Sequence, residues 1–188
     1  MEDARLKLLE AVNNILPYLG ENPVTNIDAR HPTVALILDN IKQQKLNLLG
    51  EGWWFNELRT TLYPSSEGEI YVPFNTISFY PEVNTYTERN RKVYNTSTGS
   101  YICTEPIKCK IVEDLEFEEL PYYAALVIQE RSAQLAYVKD YGVESAIEVM
   151  QKKEQEAWFA LNQEHLRNKR YNSLQNRRAF RFMRALRG

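Results

Sequence analysis

The chain has 188 residues, 44% of them hydrophobic, which suffices for one compact core or for two small lobes that share one. Its formal net charge is −2 at pH 7, from 23 basic and 25 acidic residues. No run of ~18 uninterrupted apolar residues is present, and the first residues lead into an amphipathic pattern, so we expect neither a transmembrane helix nor a secretory signal core. A soluble chain made in the cytosol is therefore expected.

Two amphipathic segments open the chain. Gly20 is the expected stop of the first, and Pro17 predicts a kinked or shortened last turn because it cannot donate a backbone hydrogen bond. Residues 2–20 carry apolar side chains at the spacing of one helical face, namely Leu9, Val12, Ile15, Leu16 and Leu19. A second helix is predicted to begin at Pro32 and to end at Gly50, with a core face of Val34, Leu38, Ile41 and Leu48.

An aromatic cluster, Gly-Trp-Trp-Phe-Asn, follows at residues 52–56, where helical periodicity gives way to strand-like alternation. We interpret Trp53, Trp54 and Phe55 as a hinge packed into the core, with Gly52 as a fold-defining residue before it. Adjacent aromatic residues at a helix end can also form a ligand platform, but they more often fill a core or an intersubunit seam. We expect one Trp in the core and the other at an interface.

Residues 58–113 have the Gly, Pro, Asn, Ser and Thr punctuation of short antiparallel strands. A hairpin is predicted from residues 92–94 and 100–103, joined by a turn at residues 95–99. Alternation predicts further strands at Ile70, Val72 and Phe74, at Ile77 and Phe79, and at Ile107, Cys109 and Ile111, with Lys108 and Lys110 facing the other way.

Two further helices complete the predicted α+β fold. Pro121 starts the third and Gly142 caps it, with Tyr122, Ala125, Ile128, Leu135 and Val138 as its apolar face. The fourth, over residues 144–170, has the apolar positions Ile147, Met150, Trp158 and Leu161. The predicted domains are a four-helix bundle-like lobe of residues 1–57 and 114–164, an inserted antiparallel β lobe of residues 58–113, and an extended or helical C-terminal arm of residues 165–188.

Five segments carry a family resemblance that spans nearly the whole chain except the β lobe. They are residues 11–16 (Ala-Val-Asn-Asn-Ile-Leu), 20–24 (Gly-Glu-Asn-Pro-Val), 37–41 (Ile-Leu-Asp-Asn-Ile), 52–56 (the pattern Gly-Trp-x-Phe-Asn) and 114–121, which ends in Glu-Glu-Leu-Pro. With these five segments in this order, the chain resembles the tail tubular protein A family, the adaptor or gatekeeper of podoviruses of the autographivirus group.

The resemblance implies a structural virion protein without catalysis, one subunit of a dodecameric ring in the virion tail that is assembled in the host cytoplasm. The implied partners are other copies of the chain, the portal protein, the tail nozzle (tubular protein B), tail fibres and, transiently, the DNA of the ejection channel; no membrane is expected.

A ring needs two different complementary faces on each subunit. The mixed charges at residues 151–156 suit either such a contact or plain solvent exposure. The isolated subunit is expected to be a monomer, because ring closure can wait for the portal as a template.

The C-terminal arm is strongly basic, whereas the rest of the chain is acidic. Residues 165–188 contain eight basic residues and no acidic one, a formal charge of +8. Residues 1–164 contain the other 15 basic residues (23 minus 8) and all 25 acidic ones, so their formal charge is −10. In related adaptors the C-terminal arm reaches along the portal, although this Arg-rich ending is not a shared motif. We predict docking on an acidic groove of the portal by Arg167, Arg170, Tyr171, Leu174, Arg177, Arg178, Phe180, Arg181 and Arg184. Contact with DNA phosphates is the alternative, but an acidic body would repel the duplex.

Catalytic and metal chemistry are not favoured, and no cofactor is expected. Two cysteines, Cys103 and Cys109, and two histidines, His31 and His165, do not complete a tetrahedral cage of soft ligands, so buried thiols are expected. The carboxylates Glu113, Asp114, Glu116, Glu118 and Glu119 invite a glycan-cleaving acid and base pair, but they are bunched in one stretch that is typical of a solvated face. The alternative function is a helical regulator that binds nucleic acid or a host factor, which predicts a small fixed oligomer and a specific ligand.

Overall fold

The computed structural model describes residues 5–28, 30–142 and 146–169. In this part of the chain two helices come first, then five strands, then two long helices, as the predicted α+β fold requires. The elements are α1 (Leu8–Ile15), α2 (Pro32–Gly50), β1 (Glu57–Leu62), β2 (Thr76–Pro81), β3 (Tyr86–Arg89), β4 (Lys92–Asn95), β5 (Ile107–Glu113), α3 (Tyr122–Tyr141) and α4 (Ala146–Asn168). Two 3₁₀ turns, Leu16–Leu19 and Phe117–Glu119, follow α1 and precede α3.

The first helix ends as Pro17 predicts. Because Pro17 cannot donate a backbone hydrogen bond, α1 stops at Ile15 and continues as the 3₁₀ turn, which Gly20 closes in the left-handed conformation with φ 72°. The prediction was wrong at the other end, since α1 begins at Leu8 rather than at residue 2. Lys7 is extended there and no side chain caps the helix.

The central helix of the bundle is α3, which packs against α1 and α2 on one side and α4 on another. Its buried small residues, such as Ala124, Ala125 and Ala133, let these neighbours approach closely. The single apolar stripe predicted for it was wrong at its ends, because Tyr122 and Val138 are 45% and 39% exposed. A central helix buries more than one side, which is why its polar Gln129, Glu130 and Ser132 are also buried.

The strands form two antiparallel sheets. The first has the order β1-β5-β2, and the second is the β3-β4 hairpin, which turns at Asn90 and Arg91 with positive φ at both residues. β5 buries Ile107, Cys109 and Ile111 and exposes Lys108, as its alternation predicts.

Two strand predictions were wrong. The segment that contains Ile70, Val72 and Phe74 is not a strand but makes isolated bridges, Glu69 with Ile102 and Tyr71 with Lys92. The principal partner of β4 is β3, whereas residues 100–103 contribute only isolated bridges, including Asn95 with Ser100 across the predicted turn. Positive φ is available to Asn at little cost, so the two-residue turn at Asn90 sets the register of this hairpin.

Two clusters of buried side chains fill this structure. The larger belongs to the helices and includes Ile15, Ile37, Leu48, Ile128 and Leu161. The smaller lies among the strands and contains Ile70, Val72, Val93, Cys103 and Ile107. Both cysteines are free thiols and are buried, as expected. Within the described residues, no helix is both long and apolar enough to cross a membrane.

Asn56 joins the helices to the first sheet. Its side chain is almost fully buried; Oδ1 accepts a hydrogen bond from the Trp53 N–H (2.8 Å), and Nδ2 donates to the carbonyls of Leu49 and Glu113 (3.0 Å each). One amide therefore bonds the end of α2, the aromatic hinge and the end of β5 at once. In return, the Asn56 carbonyl accepts from the Glu113 N–H at 2.9 Å.

We expect the substitution Asn56→Ala to lower the free energy of unfolding by about 3 kcal/mol, because it removes three hydrogen bonds to backbone groups, among them that of the buried Trp53 N–H. Urea unfolding followed by circular dichroism measures this change. The matched control is Asn22→Ala, at an exposed position, which should change stability by less than about 0.5 kcal/mol. Equal effects of the two substitutions would contradict the role given to Asn56.

Candidate assembly surfaces

The predicted aromatic hinge lies between α2 and β1. Trp53 is 4% exposed and donates from Nε1 to the Leu48 carbonyl at 2.7 Å, while Trp54 and Phe55 are half-buried. Gly52 precedes them with φ 77°, a conformation that favours glycine, and a Cβ there would lie 3.4 Å from both Glu57 and Val112. The hinge thus places one tryptophan in the core and leaves the next two aromatic rings partly accessible.

His165, near the end of α4, packs against this hinge. Its ring centroid lies 5.1 Å from that of Trp53 and 5.8 Å from that of Trp54. Trp158, two turns earlier, meets Trp53 edge to face at 5.4 Å. The Arg131 guanidinium lies over the Trp158 ring at 4.7 Å and bonds Glu154 at 2.9 Å. These contacts fix α4 against the α2–β1 junction.

Glu57, the first residue of β1, completes this attachment. Its carboxylate accepts hydrogen bonds from Lys169 (3.2 Å) and Lys110 (3.4 Å). Burial raises the pKa of Glu57, but the hydrogen bonds and charges of Lys169 and Lys110 outweigh it, so the net pKa is lowered from its usual value. The residue after α4 is therefore tied by charge to the sheet. We call Trp53, Trp54, Glu57, His165 and Lys169 the α4 anchor.

Most of the predicted portal-docking arm lies outside the described residues. Of its nine positions, Arg167 is within them; it is exposed and donates to Gln163 on the same helix at 3.4 Å. The residues outside are Arg170, Tyr171, Leu174, Arg177, Arg178, Phe180, Arg181 and Arg184. The α4 anchor is therefore the part of the structure from which this arm departs.

The remaining fold-defining residues lie at helix ends. Pro121 is the N-cap of α3, and Gly142 ends it with φ 82°. Gly20 ends the first 3₁₀ turn close to Tyr141, whose hydroxyl donates to the Leu19 carbonyl at 3.0 Å. The end of the first 3₁₀ turn is thus tied to the end of α3.

The acidic stretch before α3 has structural partners. Glu116 and Glu119 form a reciprocal capping box around the second 3₁₀ turn. Asp114 lies 2.8 Å from the ammonium group of Lys45 on α2, and Glu113 accepts from Asn75 at 3.3 Å. Among the described residues, no group of three or more His, Cys, Asp or Glu side chains is arranged to hold a metal ion. Burial raises the pKa of both cysteine thiols, with the Glu82 charge adding to it at Cys109.

Large apolar side chains are exposed at several places, among them α4 and the β part (residues 57–113). On α4, Phe159 and Leu166 are 65% and 54% exposed, and they lie on one side of the helix, two turns apart and opposite its buried Ala157 and Leu161. The β part carries the second set, Leu58, Tyr63, Tyr71, Phe74, Tyr80, Val83 and Ile102. Phe74 is the most exposed of these, and Arg91 holds its loop by bonding the carbonyls of Pro73 and Phe74.

Sequence reasoning missed Glu57, Lys169, Arg131 and Asn56 as contact residues. Glu57 and Lys169 are 112 positions apart, and Arg131 and Glu154 are 23 apart. Pairs so distant leave no periodic signal. Asn56 belongs to the Gly-Trp-x-Phe-Asn pattern, and its position directly after three aromatic residues was the signal that could have indicated its role.

Comparison with known proteins identifies the family of this chain. The sequence model of the tail tubular protein family matches residues 9–171, so the chain belongs to this family of structural proteins of the phage tail. It is also 30% identical over 182 residues to the tail tubular protein A of Klebsiella phage KP34, a match that covers 96% of this chain and 98% of that protein. The resemblance seen in the sequence is thereby confirmed.

We expect the α4 anchor to weaken in acid. Burial lowers the pKa of His165 below its ordinary value of 6.5, and the Lys169 charge adds to this against a smaller opposing effect of Glu57. A lowered pKa favours the neutral form in the folded chain, so the stability it contributes is present above about pH 6.5 and is lost as the pH falls through the lowered pKa. Thermal unfolding should show a steeper loss of stability with falling pH for the wild type than for His165→Phe, which keeps an aromatic ring but cannot titrate. Parallel pH profiles of the two proteins would refute the assignment.

Proposed function

We propose that the chain is the adaptor ring subunit that connects the phage portal to the tail nozzle and forms part of the DNA ejection channel. The observation that carries this proposal is the match to a tail tubular protein A over almost the full length of both chains. A full-length match includes the helical part, the β part and the C-terminal residues, so the whole chain is proposed to share one role.

The helical part is proposed to form the ring. A closed ring uses two different surfaces of each subunit. One candidate is the outer side of α4, where Phe159 and Leu166 are exposed among charged residues such as Lys152 and Glu156. The other is a groove of about 390 Å³ between α2, α3 and α4, lined by Gln44, Arg131, Gln134, Leu135, Val138, Ile147 and Gln151. Exposed apolar side chains rimmed by polar ones are typical of protein interfaces.

The other two contacts of the ring follow from position and charge. The C-terminal arm, with its basic residues and no acidic one, is proposed to dock on an acidic groove of the portal. The β part, with its exposed aromatic side chains, is proposed to face the nozzle. The acidic charge of residues 1–164 suits a channel that must let DNA slide, because a strongly basic wall would hold it.

Electron microscopy of the chain mixed with its phage portal tests the proposal directly. We expect rings with the symmetry of the portal, seated on one end of it, whether or not the chain alone is monomeric. A chain that forms neither a ring nor a complex with the portal would refute the proposal.

The arm is expected to provide the portal contact. Truncation after Tyr171 should leave a folded subunit that fails to bind the portal, and so should the triple charge reversal Arg177→Glu, Arg181→Glu and Arg184→Glu. The matched control reverses the charge of Lys7, Arg30 and Lys42, three exposed cations outside the arm, so that the net charge changes by the same amount. Portal binding is measured by co-sedimentation. If both triple variants lose binding equally, net charge rather than the arm is responsible, and unimpaired binding of the truncated chain contradicts the docking role.

The outer side of α4 is expected to be needed for ring closure. The substitution Phe159→Glu should change the stability of the monomer by less than about 0.5 kcal/mol, because the side chain is exposed, yet it should abolish rings on the portal. Ile27→Glu, at another exposed apolar position, is the control and should leave rings intact. Normal rings from Phe159→Glu in electron micrographs would exclude this side of α4 from the interface.

A further inference from the structure

The three-stranded sheet has two outer edges, and the edge at β2 is protected. The ladder shifts register between Thr76 and Ser78, a bulge that distorts the strand. Pro81 lies opposite Cys109, next to the position where the Glu82 N–H bonds the Lys108 carbonyl at 2.9 Å. Because bonding alternates along an antiparallel ladder, the N–H that proline lacks is one that would have pointed outward. Bulges and prolines of this kind prevent the addition of another strand.

The edge at β1 is open. The bond from the Glu113 N–H to the Asn56 carbonyl sets the alternation, so Leu58, Thr60 and Leu62 bond to β5, whereas Arg59 and Thr61 direct their backbone groups away from it. Among residues 5–28, 30–142 and 146–169, no backbone or side-chain hydrogen bond reaches these outward N–H and C=O groups. β1 contains neither a bulge nor a proline. Two consecutive outward positions are thus available to an added strand.

The side chains along this open edge are basic. Arg59 lies directly opposite Lys110, and Thr61 lies directly opposite Lys108, so these four share one face of the sheet. Arg59 and Lys108 are exposed, and their side chains form no ion pair with another residue of the described part. With Lys110 and Lys169 the face has four cations against the two carboxylates Glu57 and Glu82, an excess of two positive charges.

A shallow groove of about 260 Å³ crosses the same face. It is lined by Arg59, Tyr80, Pro81, Glu82, Cys109 and Lys110. Tyr80 is 49% exposed, and the Lys110 ammonium lies 4.8 Å from the centre of its ring. A segment that pairs with β1 would direct every second side chain over Arg59 and towards this groove.

We propose that the open edge of β1 receives an extended acidic segment of another tail protein as an added strand. The inference rests on the proposed function only in assigning that segment to a protein of the tail. Arg59 and Thr61 supply up to four backbone hydrogen bonds, which give affinity, and the cations of the face select carboxylates at alternate positions of the incoming segment. The partner is therefore recognised by Asp or Glu at every second residue of a short strand.

Charge disfavours the other occupants of this edge. Residues 170–188 follow Lys169, which lies beside Glu57, but they contain six arginines and no acidic residue, so the basic face repels them. A second copy that presented its own β1 would set like charges against one another. Duplex DNA would satisfy the cations, but its phosphates cannot form a ladder with the strand.

Hydrogen exchange of the full chain tests the proposal, with short peptides as probes. One peptide alternates Glu and Val, and its matched control alternates Lys and Val. We expect the Glu peptide to slow exchange of the Arg59 and Thr61 amides by at least about tenfold and to lose this effect as salt rises. The Lys peptide should leave both amides unprotected. Protection by the two peptides alike, or by neither, would refute the acidic partner.

Two kinds of variant separate the backbone contribution from the charge contribution. Thr61→Pro removes an outward N–H and should abolish protection at Arg59, whereas Thr61→Val keeps the N–H and should retain it. Arg59→Glu with Lys108→Glu leaves the backbone unchanged and should shift the preference to the Lys peptide. This double variant carries the test if Thr61→Pro does not fold. An unaltered preference for the Glu peptide would overturn the role of the basic face.

Three further outcomes would assign the edge to another occupant and overturn the proposal. Protection in the free chain that disappears on truncation after Lys169 would assign it to the chain's own arm. Protection that rises with protein concentration without peptide would assign it to a second copy, and protection by short duplex DNA but not by peptide would assign it to nucleic acid. Ring formation with the portal is scored separately, so its failure would refute the adaptor role while peptide-dependent protection would still support a strand-accepting edge.

Discussion

The buried side chain of Asn56 is the connection on which the arrangement of the helices and the sheet depends. An asparagine amide has both an acceptor and donors, and here it bonds the N–H of Trp53, the carbonyl of Leu49 and the carbonyl of Glu113. An aspartate could not donate to the two carbonyls, and a leucine could serve none of the three groups. The end of α2 and the end of β5 are therefore held at a fixed separation. The aromatic residues at this junction are thereby positioned to contact α4.

This connection explains why the α2–β1 junction and the end of α4 meet at one place. Trp53 and Trp54 contact the His165 ring of α4, and Glu57 forms an ion pair with Lys169, the residue that follows α4. The ring contacts of His165 depend on pH, because they favour its neutral form, whereas the Glu57 contact is an ion pair that is partly accessible to solvent. The attachment of α4 thus combines one contact that responds to pH with one that responds to salt.

Much of the fold could be predicted from local patterns. Helix starts at Pro32 and Pro121, stops at Gly20 and Gly142, and the alternation in β5 all follow from properties of single residues or of near neighbours. Strand pairing was less accessible, because β5 bonds to β1 and β2 across long loops, and the β3-β4 hairpin turns at Asn90-Arg91 without a glycine. The candidate surfaces were hardest to predict, since Glu57 with Lys169 and Arg131 with Trp158 meet only in three dimensions. The family resemblance supplied what periodicity did not, the expectation of assembly.

The bond between the Tyr141 hydroxyl and the Leu19 carbonyl has a consequence for the order of events during synthesis. The residues it joins are 122 positions apart, and Lys153 reaches Tyr18 over 135 positions in the same region. α1 and α2 contact each other little, and both cover α3, which is made only after all five strands. The apolar faces by which α1 and α2 pack on α3 therefore have no partner until α3 has been synthesised. The helical core is thus complete only once the whole β part has been synthesised, so its contacts must close across all five strands.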